Sequence, residues 1–150
     1  MKEIFWQNLE SGLEKLRAEI EQFSSDEALW APAEGTKNPA GTLCLHLLGN
    51  LNHCIGAKLG NTGYVRDRPS EFTTRGKTRA ELIKKVDETY DTMQKALLSL
   101  SAEKFDEKYP DEETTVSRTV AEELIHIVMH FNYHLGQINY YRRLTDKTDK

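Results

Sequence analysis

Apolar residues recur every three or four positions in four stretches of the chain, and no stretch reads as a strand. The first stretch runs from about Lys2 to Phe23, where Phe5, Leu9, Leu13, Leu16, Ile20 and Phe23 make one stripe. Glu10, Glu14, Lys15 and Glu19 fall outside it, as expected of an amphipathic helix with one buried face. Ser24 and Ser25 end it. The second stretch runs from roughly Gly41 to Lys58. The third opens on Thr78-Arg-Ala-Glu81, a capping box in which each side chain satisfies a free backbone amide of the first turn. Its stripe is Leu82, Val86, Tyr90, Met93, Leu97 and Leu100. The fourth opens on a similar box, Thr119-Val-Ala-Glu122, and continues to about Leu144, with Arg142 and Arg143 near its negative dipole end.

The connections span 24–40 with Pro32 and Pro39, 59–77 with Gly60, Gly63, Pro69 and Gly76, and 101–118 with Pro110. Loops of this length are often functional or carry short structure of their own. Four helices joined this way predict an all-α four-helix bundle, and 150 residues suffice for one domain spanning 1–150.

Composition narrows the classes. The chain is 38% hydrophobic and 29% charged, the balance of a globular protein rather than a disordered one. Its net charge of −4 is spread along the chain, which disfavours general nucleic-acid binding. The N-terminal run MKEIFWQNLESGLEKL carries acidic residues where a signal peptide needs an apolar run. No segment approaches the roughly 18 apolar residues needed to span a bilayer. A cytoplasmic location without membrane partners is expected. Cys44 and Cys54 on one helix would lie about 15 Å apart along the axis, too far for a disulfide, and are read as small packed hydrophobes.

All five histidines fall in two of the helices: His46 and His53 in the second, His126, His130 and His134 in the fourth. Four residues advance a helix by about 6 Å and 400°, so the last three form a narrow stripe in which adjacent members can reach one cation. The outer pair is about 12 Å apart, so one ion takes two of the three. On the second helix, Leu43, Leu47, Leu48, Leu51, Cys54 and Ile55 surround a stripe of His46, Gly49, Asn50, His53 and Ala57. A small and polar stripe on an apolar helix suggests a cavity wall, because buried unsatisfied imidazoles are costly. Imidazoles from it would complete a ligand set begun by the fourth helix. Read from spacing alone, the pattern fits a metal site and a set of hydrogen-bonded core imidazoles equally.

The run His130-Phe-Asn-Tyr-His134-Leu-Gly-Gln137 resembles the last-helix signature of the DinB/YfiT-like superfamily. The stretch Asn38-Pro-Ala-Gly-Thr-Leu-Cys-Leu-His46-Leu-Leu-Gly-Asn50-Leu resembles the surroundings of its third ligand. Arg66-Asp-Arg-Pro-Ser-Glu-Phe72 is similar to a sub-branch of unassigned function. The resemblance runs from Trp30 to about Arg143. It implies one divalent ion on His46, His130 and His134. His53 and His126 then pack or hydrogen-bond nearby, unless antiparallel helices bring those two together at a second position. Gln137 lies seven residues after His130 and is expected either to orient a ligand or to pack as an amide. Asn50 is a further pocket residue, and Gly136 is expected to allow close helix contact.

Three neutral imidazoles leave open positions where an ion lowers the pKa of a bound water or thiol, or polarises a carbonyl. Such ligands suit zinc or nickel, with iron, cobalt or manganese also within range. The resembling family includes transferases and isomerases that use low-molecular-weight thiols, and Arg66 and Arg68 are candidates to bind a carboxylate of such a cofactor, or else solvated loop charges. The expectation is a metal-dependent enzyme, a thiol S-transferase or hydrolase acting on a small molecule. The competing reading is a non-catalytic, stress-related binding protein with a structural metal. The fourth helix carries two apolar faces, Leu124, Val128, Phe131, Leu135 and Ile138 on one and Ile125, Met129, Tyr133 and Tyr140 on another. The second face suits a neighbouring element or a homodimer.

Overall fold

In the computed structural model of the chain, which describes residues 1–111 and 116–146, both capping boxes are formed. Thr78 Oγ1 accepts the Glu81 amide at 3.1 Å and the Glu81 carboxylate accepts the Thr78 amide at 2.8 Å, which starts helix α4, Arg79–Leu98. The same exchange between Thr119 and Glu122, at 3.2 and 2.8 Å, starts α5, Val120–Thr145. The first stretch forms α1, Lys2–Glu21, and the second forms α2, Ala40–Leu51. Each box satisfies amides that a helix start otherwise leaves unpaired, typically worth about 1 kcal/mol.

The chain is helical throughout its regular structure. Among the described residues there is no strand, only an isolated bridge between Lys108 and Thr119. The long connections carry structure of their own. Glu27–Trp30 and Glu103–Asp106 are 3₁₀ turns, and the 59–77 connection contains a fifth helix, α3, Arg68–Thr73. Asp67 caps α3 by accepting the Ser70 amide at 3.2 Å, and proline in its first turn suits a position that lacks a helical partner anyway.

Helix α1 packs against α4 and α5, and α2 packs against the same two. The predicted stripes become the core: Leu9, Leu13, Leu16 and Ile20 of α1 meet Leu82, Val86 and Met93 of α4 and Leu124, Phe131 and Ile138 of α5 in one buried cluster. Phe131 is 1% exposed, and its ring lies where an added Cβ on Gly12 of α1 would stand 2.8 Å away. Burying a phenylalanine contributes about 1.5–3 kcal/mol, and this one also fixes the rotation of α5. His130 and His134, on the same helix, meet His46 of α2.

Helices α2 and α5 run antiparallel. Leu43, near the start of α2, lines the same cavity as Tyr141 and Leu144 near the end of α5. Past the other end of α2, the Cys54 carbonyl accepts the Tyr109 hydroxyl at 2.8 Å, and the Tyr109 amide bonds Arg118, just before α5 begins.

Beyond Leu51 the second helix departs from expectation. Residues Asn52–Ala57 form a π turn rather than a continuation of the α-helix to Lys58. A π turn bonds i to i+5, so the phase drawn on a regular helical wheel from His46 to His53 is not kept. Cys44 is buried and Cys54 half-buried, and neither is bridged. Burial pushes the Cys44 thiol up to about 12, as suits a packing residue. Among the described residues no helix is long and apolar enough to cross a membrane.

Candidate metal centre

His130 and His134 leave α5 one turn apart with ring centroids separated by 4.6 Å. His46, from the middle of α2, brings its ring to 5.2 Å from His130 and 5.1 Å from His134. The three planes are close to mutually perpendicular, so each ring presents an edge to a common centre. The Nε2 atoms of His46 and His130 are 3.3 Å apart, and one ligand atom from each of the three residues lies within 4.8 Å of the others. Bonds of roughly 2.0–2.1 Å in a tetrahedral shell set neighbouring donors about 3.3–3.4 Å apart, so the first pair stands at ligand separation. Among the described residues this is the one cluster of three or more histidine, cysteine or carboxylate groups close enough to share an ion.

The far nitrogens decide what the near ones offer. His46 Nδ1 lies 3.0 Å from Glu71 Oε2. A carboxylate accepts, so Nδ1 carries the proton and Nε2 keeps its lone pair for the centre. His134 Nδ1 likewise donates to Gln137 Oε1 at 2.6 Å. His130 Nδ1 is buried and makes no hydrogen bond among the described residues. Burial, reinforced by the neighbouring His134 and His46, lowers the His130 pKa to about 4, and burial lowers that of His46 despite its bond to Glu71. Both rings are therefore neutral near pH 7, the state in which imidazole is a ligand. The donor set fits a divalent ion held by three imidazoles.

The residue that sequence reading missed is Glu71. It is 5% exposed, comes from α3, and receives the Arg66 guanidinium through two bonds, Nε to Oε1 at 2.7 Å and Nη2 to Oε2 at 3.0 Å. A buried carboxylate is costly without such a partner. Gly49 makes the approach possible, because any Cβ there would overlap Glu71 Oε1. Phe72, next along α3, packs against His46 with ring centroids 5.1 Å apart. The capped proline turn at Asp67-Arg-Pro-Ser70 was a legible helix start, but nothing local says that this helix lies on α2.

A family profile described as "Protein of unknown function (DUF1572)" matches residues 4–149. The chain belongs to this family. A comparison with curated proteins gave no match.

In this DUF1572 chain the remaining candidate residues are placed as follows. Gln137 contacts His134, three residues before it, and not His130, seven before it. Arg66 has its fork on Glu71, and Arg68 stacks over Phe72 at 5.7 Å. Asn50 donates to Cys54 Sγ on the following π turn at 3.5 Å. His126 is exposed on α5, and His53 is half-buried on the π turn. The antiparallel run of α2 and α5 is thus present, but the metal-compatible cluster excludes both residues. Gly136 is exposed with open space about it, so its small size serves no close helix contact among the described residues.

Proposed function

We propose that this chain is a four-helix bundle of the DinB/YfiT-like type that binds one divalent ion and uses it on a small molecule, as a thiol S-transferase or a hydrolase. The observation that carries the reading is the orientation of the imidazoles: His46, His130 and His134 share a centre, while the outer nitrogens of His46 and His134 are engaged by Glu71 and Gln137. Outer partners of this kind fix the tautomer and raise ligand basicity. Support for the bundle comes from four long helices, of which α1 and α2 each pack on α4 and α5. The order of the motifs in α2 and α5 supports the superfamily.

An ion held by three imidazoles supplies a Lewis acid with open positions, able to acidify a bound thiol or water or to polarise a carbonyl. The chain's own residues do the rest. Glu71 orients His46, Gln137 orients His134, and Phe72 covers the His46 ring on its α3 side. Zinc or nickel suits this ligand set best, with iron, cobalt and manganese within range. Arg66 is committed to Glu71, so a thiol cofactor would not find its guanidinium free. A homodimer belongs to the same proposal, supported by Ile125 and Met129, 52% and 66% exposed on one face of α5.

Metal content of the purified protein, beside the His46→Ala/His130→Ala/His134→Ala variant, tests the site. About one ion per chain is expected, lost in the variant. Equal content in both would sink the reading. Turnover of chromogenic thiol-transfer or ester substrates, faster with the metal-loaded protein than with His130→Ala, tests the enzyme. Equal rates would favour a structural ion that ties α2 to α5. Gel filtration at the mass of one chain would remove the dimer.

A further inference from the structure

Resting on the metal reading above, we infer that the cavity beside His134 is the substrate cleft, and that it takes a small uncharged aromatic or apolar molecule whose donor end reaches the ion. The cavity measures about 770 Å³, within the range of small-molecule sites, and His134 and Gln137 form part of its wall. Its wall includes a member of the histidine cluster, which the cavity against α3 and α4 lined by Gly49 and Glu71 does not among the described residues. A ligand lying in it touches one of the three imidazoles of the centre.

The other walls set the class of occupant. Tyr133, Tyr140, Tyr141 and Leu144 line it from α5, with Leu43 from α2 and Pro32 from the segment after the first 3₁₀ turn. Among the described residues neither lysine nor arginine lines it, and Glu34 is its one carboxylate. Away from the ion, an anionic group on the body of the ligand would meet no counter-charge among the described wall residues and would face that carboxylate, at a desolvation cost. An aromatic body instead meets phenol rings, which favour offset or edge contacts. Tyr133 and Tyr140 are each 65% exposed and Leu144 66%, so this rim is apolar surface among the described residues. Tyr141 is 4% exposed, and its hydroxyl makes no hydrogen bond among the described residues. A ligand acceptor at that depth would satisfy it.

The preference differs from an anionic thiol cofactor held by Arg66 and Arg68, because neither arginine lines this cavity. It is compatible with an uncharged thiol, ester or amide carried on an aromatic or branched apolar group.

The test uses the cobalt-loaded full chain, whose visible absorption reports the ion directly, and three hydroxamates as probes. Naphthohydroxamic acid should bind at least about tenfold more tightly than acetohydroxamic acid, through apolar burial in the cleft. A naphthohydroxamic acid bearing a ring carboxylate should lose that advantage. Tyr140→Ala, at an exposed position that leaves the core intact, should remove most of it while acetohydroxamate affinity stays unchanged. A normal cobalt spectrum with equal affinities for the first two probes, or tighter binding of the carboxylated one, overturns the cleft and spares the metal centre. Failure to take up cobalt overturns the metal reading and this proposal with it.

Discussion

On α5, His130 and His134 converge because four residues bring a helix nearly once round, whereas His46 on α2 stands alone and is held from behind by residues of another segment. Behind His134 is Gln137, three positions along the same helix and exposed. Behind His46 is Glu71, 5% exposed, delivered by α3 and joined to Arg66. One side of the centre is local and wet, the other assembled and dry. The difference teaches where such a site is fragile. A local arrangement survives as long as its helix does, while an assembled one depends on the seating of a six-residue helix against Gly49.

The sharpest break of this comparison is His46→Ala. It leaves two imidazoles on α5, and metal affinity measured by competition with a chromophoric chelator should fall by more than the roughly 100-fold seen at the upper end for outer partners. If two imidazoles hold the ion as well as three, the α2 side is dispensable. Next comes Gly49→Ala, which should displace Glu71 without touching any imidazole. Affinity should fall about 10–100-fold, and overpacking should cost about 1–3 kcal/mol of stability in urea unfolding. An unchanged affinity would show that α3 does not position His46.

Glu71→Gln keeps the shape but removes the charge opposite Arg66. Affinity should drop about tenfold or more. Breaking a buried pair typically costs about 3–5 kcal/mol, discounted here because the Arg66 side chain keeps 15% of its surface. The added variant Arg66→Met, which removes the stranded cation, should recover part of the stability and none of the affinity. Gln137→Ala is the mildest, with less than about tenfold in affinity and stability within about 0.5 kcal/mol, as at other exposed positions. Should its effect on affinity match that of Glu71→Gln, the contrast between the two sides is lost.

Removing the ion separates a working site from a merely structural one. At free metal 100 times its dissociation constant, binding contributes about 2.7 kcal/mol, so chelation should lower Tm by roughly 5–10 °C for a chain of this size. A collapse of helicity on chelation would assign the ion to holding the fold.

Much of the architecture was legible along the chain. The stripes of α1 and α4 and the two capping boxes rest on local rules, and local rules act wherever the residues stand. The i, i+4 pair on α5 is likewise a property of one helix. Less legible was the end of α2, where the π turn shifts the phase on which His53 had been aligned with His46. Gln137 bonds His134, three residues before it, rather than His130, which it follows by seven, because side-chain reach rather than helical stacking chose its partner. Gly136, expected at a close helix contact, lies in open space among the described residues.

By itself the sequence determined a helical chain, its core stripes, two helix starts and neighbouring histidines on α5 one turn apart, because each follows from periodicity within one segment. Only the tertiary structure decided that α3 folds onto α2, that Glu71 enters the gap Gly49 leaves, and that the cavity beside His134 is walled by tyrosines. Those are matters of which segment meets which, and they are fixed by the packing of distant surfaces rather than by the spacing of neighbours.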